Sequence, residues 1–134
     1  MSLVLFLGVC LAGGLGAAVR MLLDGLLKSA VAAGSAPLRG WAAFPWATGV
    51  INVTGSFLLG LVTGLALGGL VSPVWQAVLG TGFLGGYTTF STAMVETVRL
   101  VQERRRGLAA ANLLGVIGLG ALAAWGGMLL GLHL

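Results

Sequence analysis

Charge is what this chain of 134 residues has least of: seven Lys and Arg, three Asp and Glu and one His, so that only 7% of the residues are charged. Hydrophobic residues make up 58%, a balance that excludes a water-soluble domain of this length and reads as a membrane protein. Cysteine is nearly absent as well. The single Cys10 excludes a disulfide within the chain, and among apolar neighbours it reads as an inert packed thiol. His133 lies next to the C-terminus, there is no nucleophile and base pair and no phosphate-binding loop in a βαβ setting, so the chain does not read as an enzyme. Glycine, by contrast, is abundant at 24 residues.

No charge occurs between Arg39 and Glu96. As one straight helix that run would extend roughly 84 Å, far beyond a hydrocarbon core of roughly 30 Å, so it must turn. Gly68, Gly69, Ser72 and Pro73 are suited to end one helix and start the next. Four spans result, at about 2–23, 41–67, 73–95 and 108–132, forming one domain over 1–134. The N-terminal segment lacks the positive n-region of a secretory signal and reads as the first span.

The net charge of +4 means orientation here, not nucleic acid. With four spans, the segments 24–40 and 96–107 lie on one side, and all seven basic residues (Arg20, Lys28, Arg39, Arg99, Arg104, Arg105, Arg106) belong there. By the positive-inside rule both loops are expected in the cytoplasm and both termini outside. Trp41, Trp46 and Trp75 fall near span ends, where the aromatic belt lies. Many of the glycines have spacings that let helix backbones approach closely, such as Gly13 and Gly16, Gly60 and Gly64, and Gly126 and Gly127. So tight a bundle leaves little room for a central path, which implies an oligomer with any pathway at a subunit interface.

Polar residues inside the spans are few. Asn52 in the second span either bonds another helix or faces a pathway, while Thr48, Thr54 and Ser56 can satisfy themselves on their own helix. Arg20 closes the first span, where it either snorkels to the interface or serves a site. The stretch "GFLGGYTTFSTAM" (Gly82 to Met94) is the most unusual. Gly85 and Gly86 are expected to weaken the third span near its midpoint, and released backbone groups then need protein or ion partners. Thr88, Thr89, Ser91 and Thr92 add hydroxyl donors, and Phe90 can offer an electropositive ring edge to an anion.

Three stretches together, "GGLGAAVR" (Gly13 to Arg20), "ATGVINVTGSFLLG" (Ala47 to Gly60) and "GFLGGYTTFST" (Gly82 to Thr92), resemble the signature segments of the Fluc family, the small four-helix fluoride channels of bacteria. The resemblance implies an all-α membrane protein of four transmembrane helices, the third broken near its middle, assembled as an antiparallel dual-topology-type dimer. It implies two fluoride pores along the dimer interface and a structural, non-transported sodium ion held by the backbone carbonyls of Gly85 and Thr88. Asn52, Phe90, Ser91 and Thr89 fall to the pore, and Arg20 to its vestibule. Function would be passive export of fluoride across the cell membrane. Two positions depart from the family pattern: Ala93 stands where a second phenylalanine is usual, and Val116 where a serine of a polar track is expected. Together with the one-sided basic residues, these departures point to a heterodimer with a homologous subunit of opposite bias. They also keep open a non-conducting subunit that supports a channel partner. A proton-coupled multidrug exporter of similar length is disfavoured, because the first span carries no acid before Asp24.

Overall fold

The structure is a computed structural model that describes residues 2–34 and 44–134. Among these residues every regular element is helical: α1 (Leu3–Ala32), α2 (Trp46–Leu67), α3 (Pro73–Gln76), a π-helical stretch (Ala77–Leu84), α4 (Gly85–Tyr87), α5 (Phe90–Gln102) and α6 (Arg106–His133). Three of them, α1, α2 and α6, are long and apolar enough to cross a membrane unaided. A fourth crossing is assembled from short pieces, Pro73 to Tyr87 followed by α5, with two non-helical residues between them. The protein is thus an all-α membrane protein with one broken crossing. Arg39 and Trp41 lie outside the described residues.

Helix α1 begins at Ser2, whose hydroxyl accepts from Leu5 N at 3.2 Å. It has 30 residues, roughly 45 Å of rise, and continues well past Leu23, where the first span was expected to end. Leu22, Leu23, Leu26 and Leu27 favour helix, and the Asp24–Lys28 ion pair of 2.7 Å spans one turn, so the charges ride on a helix and not in a loop. The segment expected as the loop 24–40 is therefore helical through Ala32.

Between α2 and α3 the chain makes a Schellman turn: Leu70 N donates to Leu65 O at 2.9 Å and Gly69 N to Ala66 O at 3.1 Å, with Gly69 left-handed at φ 81°. Ser72 then caps the next helix and Pro73 occupies its first turn.

Packing between crossings is governed by glycine. Helices α2 and α6 share the most extensive contact in the molecule. A methyl group on Gly60 would overlap the carbonyl of Ala124, one on Gly64 that of Met128, one on Gly127 that of Phe57, and one on Gly131 that of Leu61. Helix α1 meets the broken crossing in the same manner, Gly16 against Phe83 and Gly86 against Gly13. Only backbones without Cβ atoms can come this close, and dispersion over the seam replaces the hydrophobic driving force that lipid does not supply.

The break itself lies later than Gly85 and Gly86. Both glycines remain helical, and the extended residues are Thr88 (φ −79°, ψ 158°) and Thr89 (φ −150°, ψ 107°). The physical reason is that Gly86 is used for close approach to Gly13, not for backbone freedom. Ahead of them the helix widens into eight residues of π-helix, Ala77–Leu84.

Candidate ion site at the helix break

A helix interrupted inside a membrane leaves backbone groups in need of new partners, and Asn52, Thr89 and Arg20 supply several of them. Thr88 N still donates to Leu84 O at 3.0 Å, and the Thr88 hydroxyl donates to the same carbonyl at 2.9 Å. The next residue has left the helix, and Asn52 receives it. Thr89 N donates to Asn52 Oδ1 at 2.8 Å, while Asn52 Nδ2 donates to Thr89 O at 2.9 Å, so one buried side-chain amide takes the place of a peptide group for both sides of Thr89. On the far side, Thr89 caps α5 by accepting from Thr92 N at 3.3 Å.

These substitutions have a consequence for two carbonyls. In an uninterrupted helix Thr89 N would serve Gly85 O and Thr92 N would serve Thr88 O. Both donors are diverted, one to Asn52 Oδ1 and the other to Thr89 Oγ1. The carbonyls of Gly85 and Thr88 therefore lose their ordinary helical partners, which is the donor chemistry an alkali cation takes from unwound backbone. Gly86 O is treated differently: it accepts from Arg20 Nε at 3.2 Å. Arg20 is half-buried, and instead of only reaching toward the membrane surface it ties α1 to the broken crossing. It also lines a cavity of about 410 Å³ together with Thr48, Thr89 and Thr92.

Hydroxyls cluster just beyond the break. Thr89 Oγ1 lies 2.9 Å from Thr92 Oγ1 and 3.3 Å from Ser91 Oγ. Phe90 projects outward and is 62% exposed, and Ser91 is exposed beside it. Asn52, Thr89 and Ser91 are thus within one connected polar group, with Phe90 at its rim, while Arg20 approaches from the α1 side.

The two departures from the family pattern are placed differently from these residues. Ala93 is completely buried, and its carbonyl accepts from Asn112 Nδ2 at 3.1 Å and from Thr97 Oγ1 at 2.8 Å. Val116 lines an apolar groove of about 380 Å³ with Trp46, Val50, Val53 and Leu119.

Sequence reasoning passed over three participants. Tyr87 OH lies 3.0 Å from Thr54 Oγ1, which also donates to Val50 O at 2.7 Å on its own helix. Thr48, read as a weak signal, is buried and donates to Glu96 Oε1 at 2.9 Å. Asn112, also buried, joins α6 to α5 through Ala93 and Thr97. The only clue to each was a polar residue facing inward on an apolar helix, and the partner lies up to 48 residues away.

Four closely packed crossings, one of them interrupted and stitched to its neighbours by side-chain amide, guanidinium and hydroxyl groups, define a small multi-pass membrane protein built around a polar helix break. The chain belongs to the family described as CrcB-like protein, Camphor Resistance (CrcB), whose model matches residues 7–128. It is 50% identical over 131 residues, 98% of this chain and 89% of the relative, to the fluoride-specific ion channel FluC 1 of Leifsonia xyli subsp. xyli. It is 48% identical over 126 residues, 93% of this chain and 95% of the relative, to FluC 2 of Cutibacterium acnes. To FluC 3 of Bifidobacterium longum it is 46% identical over 122 residues, 90% of this chain and 93% of that protein. The chain is accordingly a member of a channel family, not an enzyme.

Proposed function

We propose that this chain is a subunit of a fluoride channel that lets fluoride leave the cell passively. The observation that carries the reading is the break at Thr88 and Thr89, with Asn52 holding its backbone and Phe90 and Ser91 turned outward beside it. Fluoride is small and strongly hydrated, and hydroxyl and amide donors with an aromatic edge can replace water around it. The relatives, fluoride-specific ion channels, support the same ion.

A second subunit completes the site. Thr81, Gly85, Phe90 and Ser91 are all exposed on the broken crossing, and lipid cannot satisfy the backbone and hydroxyl groups among them. A partner crossing laid against this face would cover them and let its own backbone carbonyls join those of Gly85 and Thr88 around one central sodium ion. That ion supplies a fixed positive charge which favours an anion nearby. The partner is a homologue of opposite orientation: the seven basic residues all fall in or beside the two segments on one side, so this chain inserts one way, with those segments in the cytoplasm and both termini outside. The sealed position of Ala93 and the apolar setting of Val116 are consistent with a chain that contributes one set of pore groups and relies on its partner for the other. The same two observations favour a second reading, in which the chain only supports a conducting homologue.

Fluoride efflux from liposomes, read with a fluoride electrode, tests both. The protein reconstituted with a homologous second subunit should pass fluoride and hold back chloride, and replacing sodium by a large organic cation should abolish the flux. Equal fluoride and chloride leakage overturns the channel reading. Full flux from this chain alone overturns the heterodimer. If Phe90→Ile leaves the flux of the pair unchanged, the chain supports conduction without lining a pore.

A further inference from the structure

The turn between α5 and α6 carries a feature that ion conduction does not use. Arg104, Arg105 and Arg106 follow one another and all are exposed. Arg105 lies 3.8 Å from Glu103 in an exposed pair worth little, and among the described residues neither Arg104 nor Arg106 has a carboxylate partner. The backbone beneath them is held rigid. Arg104 N donates to Val101 O at 3.0 Å and Arg105 N to Leu100 O at 2.9 Å, closing α5 with Arg104 in the left-handed position that glycine usually occupies, at φ 60°.

The three arginines border a recess of about 560 Å³ whose remaining lining is Gly107, Leu108 and Ala111. Its lining thus combines three guanidinium groups with three small or apolar residues. Position across the membrane identifies what reaches it. Helix α6 has 28 residues, roughly 42 Å of rise, which matches a bilayer of roughly 40–45 Å including headgroups and so sets Arg106 at headgroup depth. At that depth the abundant anions are lipid phosphates, and the planar guanidinium fork matches phosphate oxygens in pairs.

We propose that the Arg104–Arg106 turn is a binding site for an anionic phospholipid, its phosphate gripped by the arginines and its glycerol and first acyl carbons resting on Leu108 and Ala111. The site is separate from the helix break and does not depend on which ion the channel passes. It gives the basic turn a second role, anchoring the α5–α6 corner to the leaflet in which it lies.

The test uses the purified full-length chain, delipidated in neutral detergent and titrated with phosphatidylglycerol or phosphatidylcholine, with bound lipid counted by native mass spectrometry. Phosphatidylglycerol should be retained and phosphatidylcholine not, and raising the salt should weaken retention. Arg104→Gln, Arg105→Gln and Arg106→Gln should each lower affinity by about fivefold, the equivalent of about 1 kcal/mol per basic residue near the surface. These single changes leave six basic residues to hold the orientation. Arg99→Gln removes the same charge from the last turn of α5, outside the recess, and should leave affinity within twofold. Equal retention of the two lipids overturns the site, as do three turn variants that all stay within twofold of the parent. A loss from Arg99→Gln equal to theirs would assign the binding to overall charge and overturn it too. Displacement of the lipid by millimolar glycerol phosphate would make a soluble phosphate the occupant in place of lipid.

Discussion

The α2–α6 seam and the break in the third crossing solve opposite problems in one membrane. Along the seam, Gly60, Gly64, Gly127 and Gly131 bring two uninterrupted helices together. At the break, two residues leave the helix, and Asn52, Thr89 and Arg20 take over the bonds that the helix no longer makes. The seam tolerates no added volume, whereas the break depends on the two bonds that the Asn52 amide makes to Thr89. The contrast teaches that rigidity at the one place frees the other to keep carbonyls available.

The largest effect is expected from filling the seam. Gly60→Val or Gly127→Val sets a branched side chain against a carbonyl of the facing helix. Overpacking typically costs about 1–3 kcal/mol, and more where only backbone can yield. Neither variant should give a monodisperse peak on size-exclusion chromatography in detergent, and a well-behaved Gly127→Val protein would contradict the close approach.

Asn52→Ala comes next. It strands both Thr89 N–H and Thr89 C=O, at about 1–3 kcal/mol for each buried group left unpaired. Thermal unfolding should move down markedly, and fluoride flux should be lost. Asn52→Asp keeps the acceptor for Thr89 N but not the donor to Thr89 O, so its stability should fall between the parent and the alanine variant. If both variants melt like the parent, Asn52 does not hold the break.

Phe90→Ile sharpens the distinction between holding the break and lining a pathway. In the single chain the ring is largely exposed, so unfolding of the chain by itself should stay within about 0.5 kcal/mol of the parent while fluoride flux through the assembled pair drops at least tenfold. A loss of stability without loss of flux would make Phe90 a packing residue.

The smallest effect is expected at Thr88. Its hydroxyl duplicates a bond to Leu84 O that Thr88 N already makes, so Thr88→Val should change the melting temperature little. Sodium dependence of the flux should persist, because the proposed ligand is a carbonyl that the substitution leaves in place. Loss of that dependence in Thr88→Val would assign the cation to the hydroxyl.

Much of the architecture was legible in the chain itself. Apolar runs, the absence of charge from Arg39 to Glu96, and the Gly68–Pro73 turn dictate helices and their number, because in lipid a backbone can satisfy itself only in a closed pattern. The same holds for the family, which short contiguous motifs carry. What periodicity and composition could not contain is pairing at a distance. The shift of the break from Gly85 and Gly86 to Thr88 and Thr89 was decided by the approach of Gly86 to Gly13, and the partner of the Ala93 carbonyl by where α6 sets Asn112. Asn52 was readable as a polar residue in need of a partner, but which peptide group it would hold depended on how α2 lies beside the third crossing. A hydrogen bond's identity follows from two positions in space, and one stretch of sequence specifies only one of them.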